Sequence, residues 1–218
     1  MPDWLDPEAI ILGLGNWALW GIALIIFAEC GLFAPLPGDS LLFTAGLFVA
    51  MGVITFGSLP PFPVLLVVAV ILTIAAVGGN VSGYYLGRLI GPPLFKPRDG
   101  VMGKLFDPKY VDATHVFMEK YGSRALILAR FVPFVRTFIT LIAGVAHMDF
   151  RVFIKFTAVG GVLWVWLITF LGYFLGTIPV VHDNLEVALL LIVFVSLIPM
   201  FVEYFSQKRK GAAEVTPE

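Results

Sequence analysis

Four ionisable residues carry most of the chemistry this sequence can offer. Glu29 and Asp39 flank the stretch Pro35-Leu36-Pro37-Gly38, and Arg130 and Arg136 flank Pro133, all within predominantly apolar surroundings. The first pair is acidic and the second basic. The planar guanidinium fork suits bidentate binding of phosphate or carboxylate. Two arginines around a helix break, where backbone groups go unpaired, make an anion cradle. A carboxylate takes or gives up a proton according to how burial and nearby cations balance, so Glu29 and Asp39 are candidate proton carriers. The alternative is that the acids pair with the arginines and do no more than hold the broken segments together. Buried ion pairs are a weak source of stability, which argues against that role alone.

These residues need elements to position them, and composition says what kind. The chain has 218 residues, 59% hydrophobic and 13% charged, with mean hydropathy +0.95. Soluble domains carry about 25% charged residues. Several apolar runs reach the roughly 20 residues that a helix needs to cross a hydrocarbon core. They are continuous rather than alternating, so helices rather than a barrel are expected. In that medium an arginine at mid-depth costs about 2.5–3.5 kcal/mol and must face protein, water or a partner.

Residues 1–87 contain no Lys or Arg, and all fourteen cations lie in 88–155 or in Lys208-Arg209-Lys210. Clustered cations mark cytoplasmic loops, which puts the connector, the turn at 147–155 and the C-terminal tail inside. No basic stretch precedes the first apolar run, so a cleaved leader is not expected. Cys30 is the only cysteine and reads as a small buried hydrophobe. No phosphate-loop glycines, paired metal-ligand histidines or Gly-x-Ser-x-Gly occur, and the basic clusters lack interleaved aromatics. No cofactor, metal, nucleic-acid partner or enzymatic activity is therefore expected.

The pass along the chain predicts an all-α membrane protein in one domain over 1–206. A first repeat covers about 17–88 and a connector about 89–112. A second repeat covers about 113–177, and a last spanning helix about 185–206 leads to a basic tail, 207–218. Helices are expected over 17–34, 40–52 (capped by Asp39 or Ser40), 63–87, 113–132, a piece to 145, and 152–176. Two features repeat. Pro37 precedes Ala45-Gly46 and Pro133 precedes Ala143-Gly144, while Gly83-Tyr84-Tyr85-Leu86-Gly87 and Gly172-Tyr173-Phe174-Leu175-Gly176 close the long helices. The glycines at 79, 83 and 87, and at 172 and 176, fit close helix packing. Asn80 either bonds to a neighbouring helix or lines a substrate path.

The stretch 40–52 rises only about 20 Å, short of a hydrocarbon core about 30 Å thick. Such pieces fit re-entrant hairpins, tolerated where protein or a wet cavity surrounds the broken backbone. With the cations inside, the first hairpin enters from outside and the second from inside. That is the inverted repeat of many transporters. Two complete passes by the first segment and 40–52 are the alternative, with the same parity.

The segments Phe27-Ala28-Glu29, Pro35-Leu36-Pro37-Gly38-Asp39-Ser40-Leu41-Leu42, Gly83 to Arg88, Lys120-Tyr121-Gly122, Arg130-Phe131-Val132-Pro133-Phe134-Val135-Arg136-Thr137, Ala143-Gly144 and Gly172 to Gly176 together resemble the DedA family, also called the SNARE-associated or VTT-domain family. The resemblance runs from about 27 to 176. It implies a multi-pass bacterial inner-membrane protein with two opposed re-entrant hairpins and with its important charges on Glu29, Asp39, Arg130 and Arg136. It also implies links to membrane potential and envelope integrity. Some members are implicated in returning undecaprenyl phosphate across the membrane, and eukaryotic relatives scramble phospholipids. The expectation is a flippase of an anionic lipid phosphate, driven by the proton gradient. Arg130 and Arg136 hold the phosphate, while Glu29 and Asp39 couple to protons. A proton-coupled carrier of a small solute, a phospholipid scramblase and a membrane-assembly scaffold are the alternatives. An enzyme acting on lipid phosphates lacks a nucleophile–base constellation.

Overall fold

The computed structural model describes residues 15–32, 38–90, 116, 118–131 and 133–182. Pro35, Pro37, most of the connector, the helix expected over 185–206 and the basic tail lie outside the described residues. Within them every regular element is helical. The elements are α1 (Asn16–Leu32), α2 (Gly38–Ala50), α3 (Pro61–Ile90), α4 (Ala125–Leu128), α5 (Pro133–Val145), α6 (Phe150–Gly176) and α7 (Pro179–His182).

Two helices, α3 with 30 residues and α6 with 27, are long and apolar enough to cross a membrane. Only 39% and 33% of their apolar windows are buried inside the protein. Leu24, Ile74, Leu163, Leu167, Leu171 and Phe174 all face outward. Water does not tolerate so continuous an apolar exterior, and hydrocarbon does. Two threonine hydroxyls are satisfied within their own helices: Thr44 donates to the Ser40 carbonyl and Thr73 to the Ala69 carbonyl.

α3 starts two residues earlier than the sequence suggests, because Pro61 and Pro63 sit in its first turn, where a missing N–H removes no hydrogen bond. Pro133 does the same as the first residue of α5. The single helix expected over 113–132 is not one helix. Gly122 takes a φ of +55°, and short 3-10 turns, Gly122–Arg124 and Ala129–Phe131, bracket α4. Glycine alone adopts that φ without strain. The tight second turn leads into a proline, which disfavours α geometry in the residue before it. Asp39 does not precede α2 as a cap; it lies within the first turn, one residue after Gly38. Asp149 caps α6 instead, its carboxylate accepting from the backbone N–H groups of Arg151 and Val152.

Each short helix packs on a long one. α1 lies along α3 in the same direction, with Phe27 against Gly78 and Gly79, and Gly31 against Gly79 and Gly83. α2 lies along α6, where Gly46 abuts Thr169 and Tyr173, Gly172 abuts Phe43, and Gly176 abuts Leu47 and Ala50. α5 lies along α3, where Gly144 abuts Tyr84 and Arg88, and Gly87 abuts Leu141. The 125–130 stretch lies on α6, with Gly160 against Leu126, Ile127 and Arg130. The first segment of each half thus packs on its own half's long helix, and the second segment crosses to the other's.

Candidate functional site

The crossing of the halves brings three of the four charged residues together. Arg136 comes from the first turns of α5. Its Nη1 donates to both oxygens of Asp39, at 3.0 and 3.1 Å, and its Nη2 donates to Glu29 Oε1 at 2.7 Å. One guanidinium is therefore shared between two carboxylates, one near the end of α1 and one at the start of α2. The side chains are 19% (Arg136), 7% (Glu29) and 31% (Asp39) exposed. Asp39 thus remains reachable from outside the protein.

The local sequence makes this geometry. Gly38 opens α2 where any Cβ would collide with Glu29 Oε2, so the missing side chain makes room for the carboxylate. The positive end of α2 lies there too, which favours a negative charge. α6 supplies a residue that sequence reasoning missed. Trp164 donates its indole N–H to Asp39 Oδ1 at 2.7 Å, and the Arg136 Cζ lies 5.3 Å from the centroid of the Trp164 ring. A buried indole N–H usually finds an acceptor; that was the signal available in the sequence.

Arg130 is placed differently. It is 5% exposed, its Nε has no hydrogen-bond partner among the described residues, and its Nη1 points at Cys30 Sγ at 3.8 Å. Among the described residues no carboxylate lies within ion-pair distance of it. Cys30, read from sequence as inert filling, is thus the neighbour of a buried cation. Gly160 leaves the space in which the Arg130 side chain lies.

Gly83, Gly87, Gly172 and Gly176 all stand at helix contacts where a Cβ would press on a neighbour, and for Gly87 and Gly172 that neighbour is backbone. Asn80 is 1% exposed and donates to the Ala76 carbonyl of its own helix at 2.6 Å, rather than to another helix. The described residues contain no cluster of side chains suited to a metal ion.

Long apolar helices with outward apolar faces, short helices folded against them and a shared charge cluster are the features of an α-helical membrane protein. The VTT domain matches residues 36–174. The chain is 47% identical to the Mycobacterium tuberculosis membrane protein Rv0364, over 100% of this chain and 94% of that one. It is 40% identical to Escherichia coli Protein DedA (93% and 89% covered) and 36% identical to the E. coli inner membrane protein YqjA (80% and 76%). No solved structure matches. The chain belongs to the VTT-domain, or DedA, family.

Proposed function

We propose that the protein is an inner-membrane translocase of an anionic lipid, with a phosphate headgroup as the recognised group and a polyprenyl phosphate such as undecaprenyl phosphate as the substrate suggested by the family resemblance. The observation that carries this reading is the inequality of the two arginines. Arg136 is committed to Glu29 and Asp39, whereas Arg130 is a buried cation with no anionic partner among the described residues. A buried, unpaired guanidinium is costly, and an incoming phosphate is the ligand its fork fits. The phosphate docks at Arg130 and then competes with Glu29 and Asp39 for Arg136. Protonation of the carboxylates favours that exchange, which links movement of the lipid to the proton gradient. The two halves insert from opposite faces of the membrane as re-entrant hairpins. In support, α1 runs alongside α3 from its start, α2 returns toward the same end, and α5 runs to the other end of α3. No step calls for bond making or breaking, so the activity is transport rather than catalysis.

The test is uptake of labelled polyprenyl phosphate across proteoliposome membranes. Arg130→Ala is expected to reduce uptake to that of empty liposomes. Arg136→Lys, which keeps charge and loses the fork, is expected to lower it by at least about tenfold. Undiminished uptake in both variants rejects the reading. The sharing of Arg136 also favours a second reading, a scaffold in which the charges only pin the halves together. That reading predicts that Asp39→Arg combined with Arg136→Asp keeps function; the transport reading predicts that it does not.

A further inference from the structure

Trp164 lies midway along α6 and is 2% exposed. It touches both members of one ion pair with different parts of one ring system. The indole edge donates to Asp39 Oδ1 at 2.7 Å, and the indole face lies 5.3 Å from Arg136 Cζ. An indole offers a donor for an anion and a negative face for a cation at once; phenylalanine offers only the face. Asp39 belongs to the first hairpin and Arg136 to the second, while Trp164 belongs to neither, being fixed in a 27-residue helix.

Packing alone does not require this arrangement. Trp166, two residues further along α6, stacks on Phe170 at 5.5 Å, and its indole nitrogen has no hydrogen-bond partner among the described residues. The same residue type on the same helix is used there as an apolar plate. Around Trp164 the helix is thinned by Gly160 and Gly161, which admit Ile127, the Arg130 stem and Val77. The second hairpin therefore approaches α6 closely one turn from the indole.

We propose that Trp164 is the positioning residue of the charged site, holding Asp39 by its N–H and Arg136 by its ring, so that each charge keeps a contact on α6 when the ion pair between them opens. The role in transport rests on the lipid-phosphate reading; the positioning of the charges does not.

The experiment has two arms. In the first, indole 15N–1H signals are recorded from the full chain in lipid nanodiscs. Trp164→Phe and Trp166→Phe each remove one of the five tryptophan signals and so assign them. Asp39→Asn, with every tryptophan in place, is expected to move the Trp164 signal and leave that of Trp166. A Trp164 signal unmoved by Asp39→Asn overturns the proposal; should Trp164→Phe fail to fold, Trp4→Phe, Trp17→Phe and Trp20→Phe together with Trp166→Phe assign the Trp164 signal by elimination. In the second arm, uptake of labelled polyprenyl phosphate is measured. Trp164→Phe is expected to lower the maximal rate by about tenfold, the worth of one hydrogen bond to a charged group, and Trp166→Phe to leave it unchanged. Trp164→Phe added to Asp39→Asn is expected to do no more than Asp39→Asn alone; additive losses overturn positioning in favour of packing. If the native protein moves no lipid phosphate, the transport reading falls while the indole shift still decides the geometry.

Discussion

The two crossings, α2 on α6 and α5 on α3, share a design and differ in how they are fastened. In each, an Ala-Gly step lays its glycine against the backbone of a long helix, and a glycine of that helix returns the contact. The first crossing has its hydrogen bond at the start of α2, from Trp164 to Asp39, and is closed beyond it by apolar side chains, with Phe43 and Leu47 packed against Val181, Ile168 and Leu175. The second carries a polar fastening at its far end, beside the turn that follows α5. Tyr84, fully buried and stacked on Phe153 at 4.5 Å, donates its hydroxyl to the Met148 carbonyl at 2.5 Å and accepts from Arg88 at 3.2 Å. The position matching Tyr84 in the first crossing is Thr169, whose buried hydroxyl has no partner among the described residues. Close packing alone sets where two helices touch. An added directional bond also fixes where the following turn begins.

The comparison can be tested in order of expected effect. The largest change follows from Arg136→Ala, which removes the bond between the halves and leaves two neighbouring carboxylates without their cation. A loss of about 3–5 kcal/mol is expected, read as a fall in the detergent midpoint of thermal unfolding. Asp39→Asn in that background should restore part of it. Next are Gly46→Ala and Gly144→Ala, whose added Cβ would press on the Thr169 and Tyr84 carbonyls. Each is expected to cost about 1–3 kcal/mol, and comparable losses would support the shared design. Tyr84→Phe should cost about 1 kcal/mol and act on one crossing only. Amide exchange over 144–149 rises to match the 46–54 segment, which does not change. Gly21→Ala should have the smallest effect. Nothing lies within 4 Å of its added Cβ, so replacing a mid-helix glycine is expected to stabilise by about 0.5–1 kcal/mol.

How much of this was legible in the sequence depends on the range of the signal. The long helices, the short pieces and the breaks between them follow from local apolar length and proline chemistry, and they appear within a few residues of their expected bounds. The four charged positions stood out because charge is rare in such segments. That the acids could pair with the arginines was legible too; which arginine takes both acids was not, because period and spacing within one helix say nothing about its register on another. The motif match sets Gly172 beside Gly83, whereas the packing match sets Gly172 beside Gly87, one helical turn away. That single turn decides which side chain meets which. It is why the sharing of Arg136, the separation of Arg130 from the two acids and the contacts of Trp164 came only from the structure. The helix expected over 113–132 breaks where the backbone of Gly122 takes the left-handed region, a conformation that the apolar pattern does not encode.

At 30 residues, α3 is about 45 Å long at 1.5 Å per residue, about half again the thickness of an ordinary hydrocarbon core. A rod that exceeds its slab must lean or protrude. Because the short segments of both halves lie along α3, any lean is passed to them, and the contact between Arg136 and its two acids then responds to acyl-chain length as well as to what binds there.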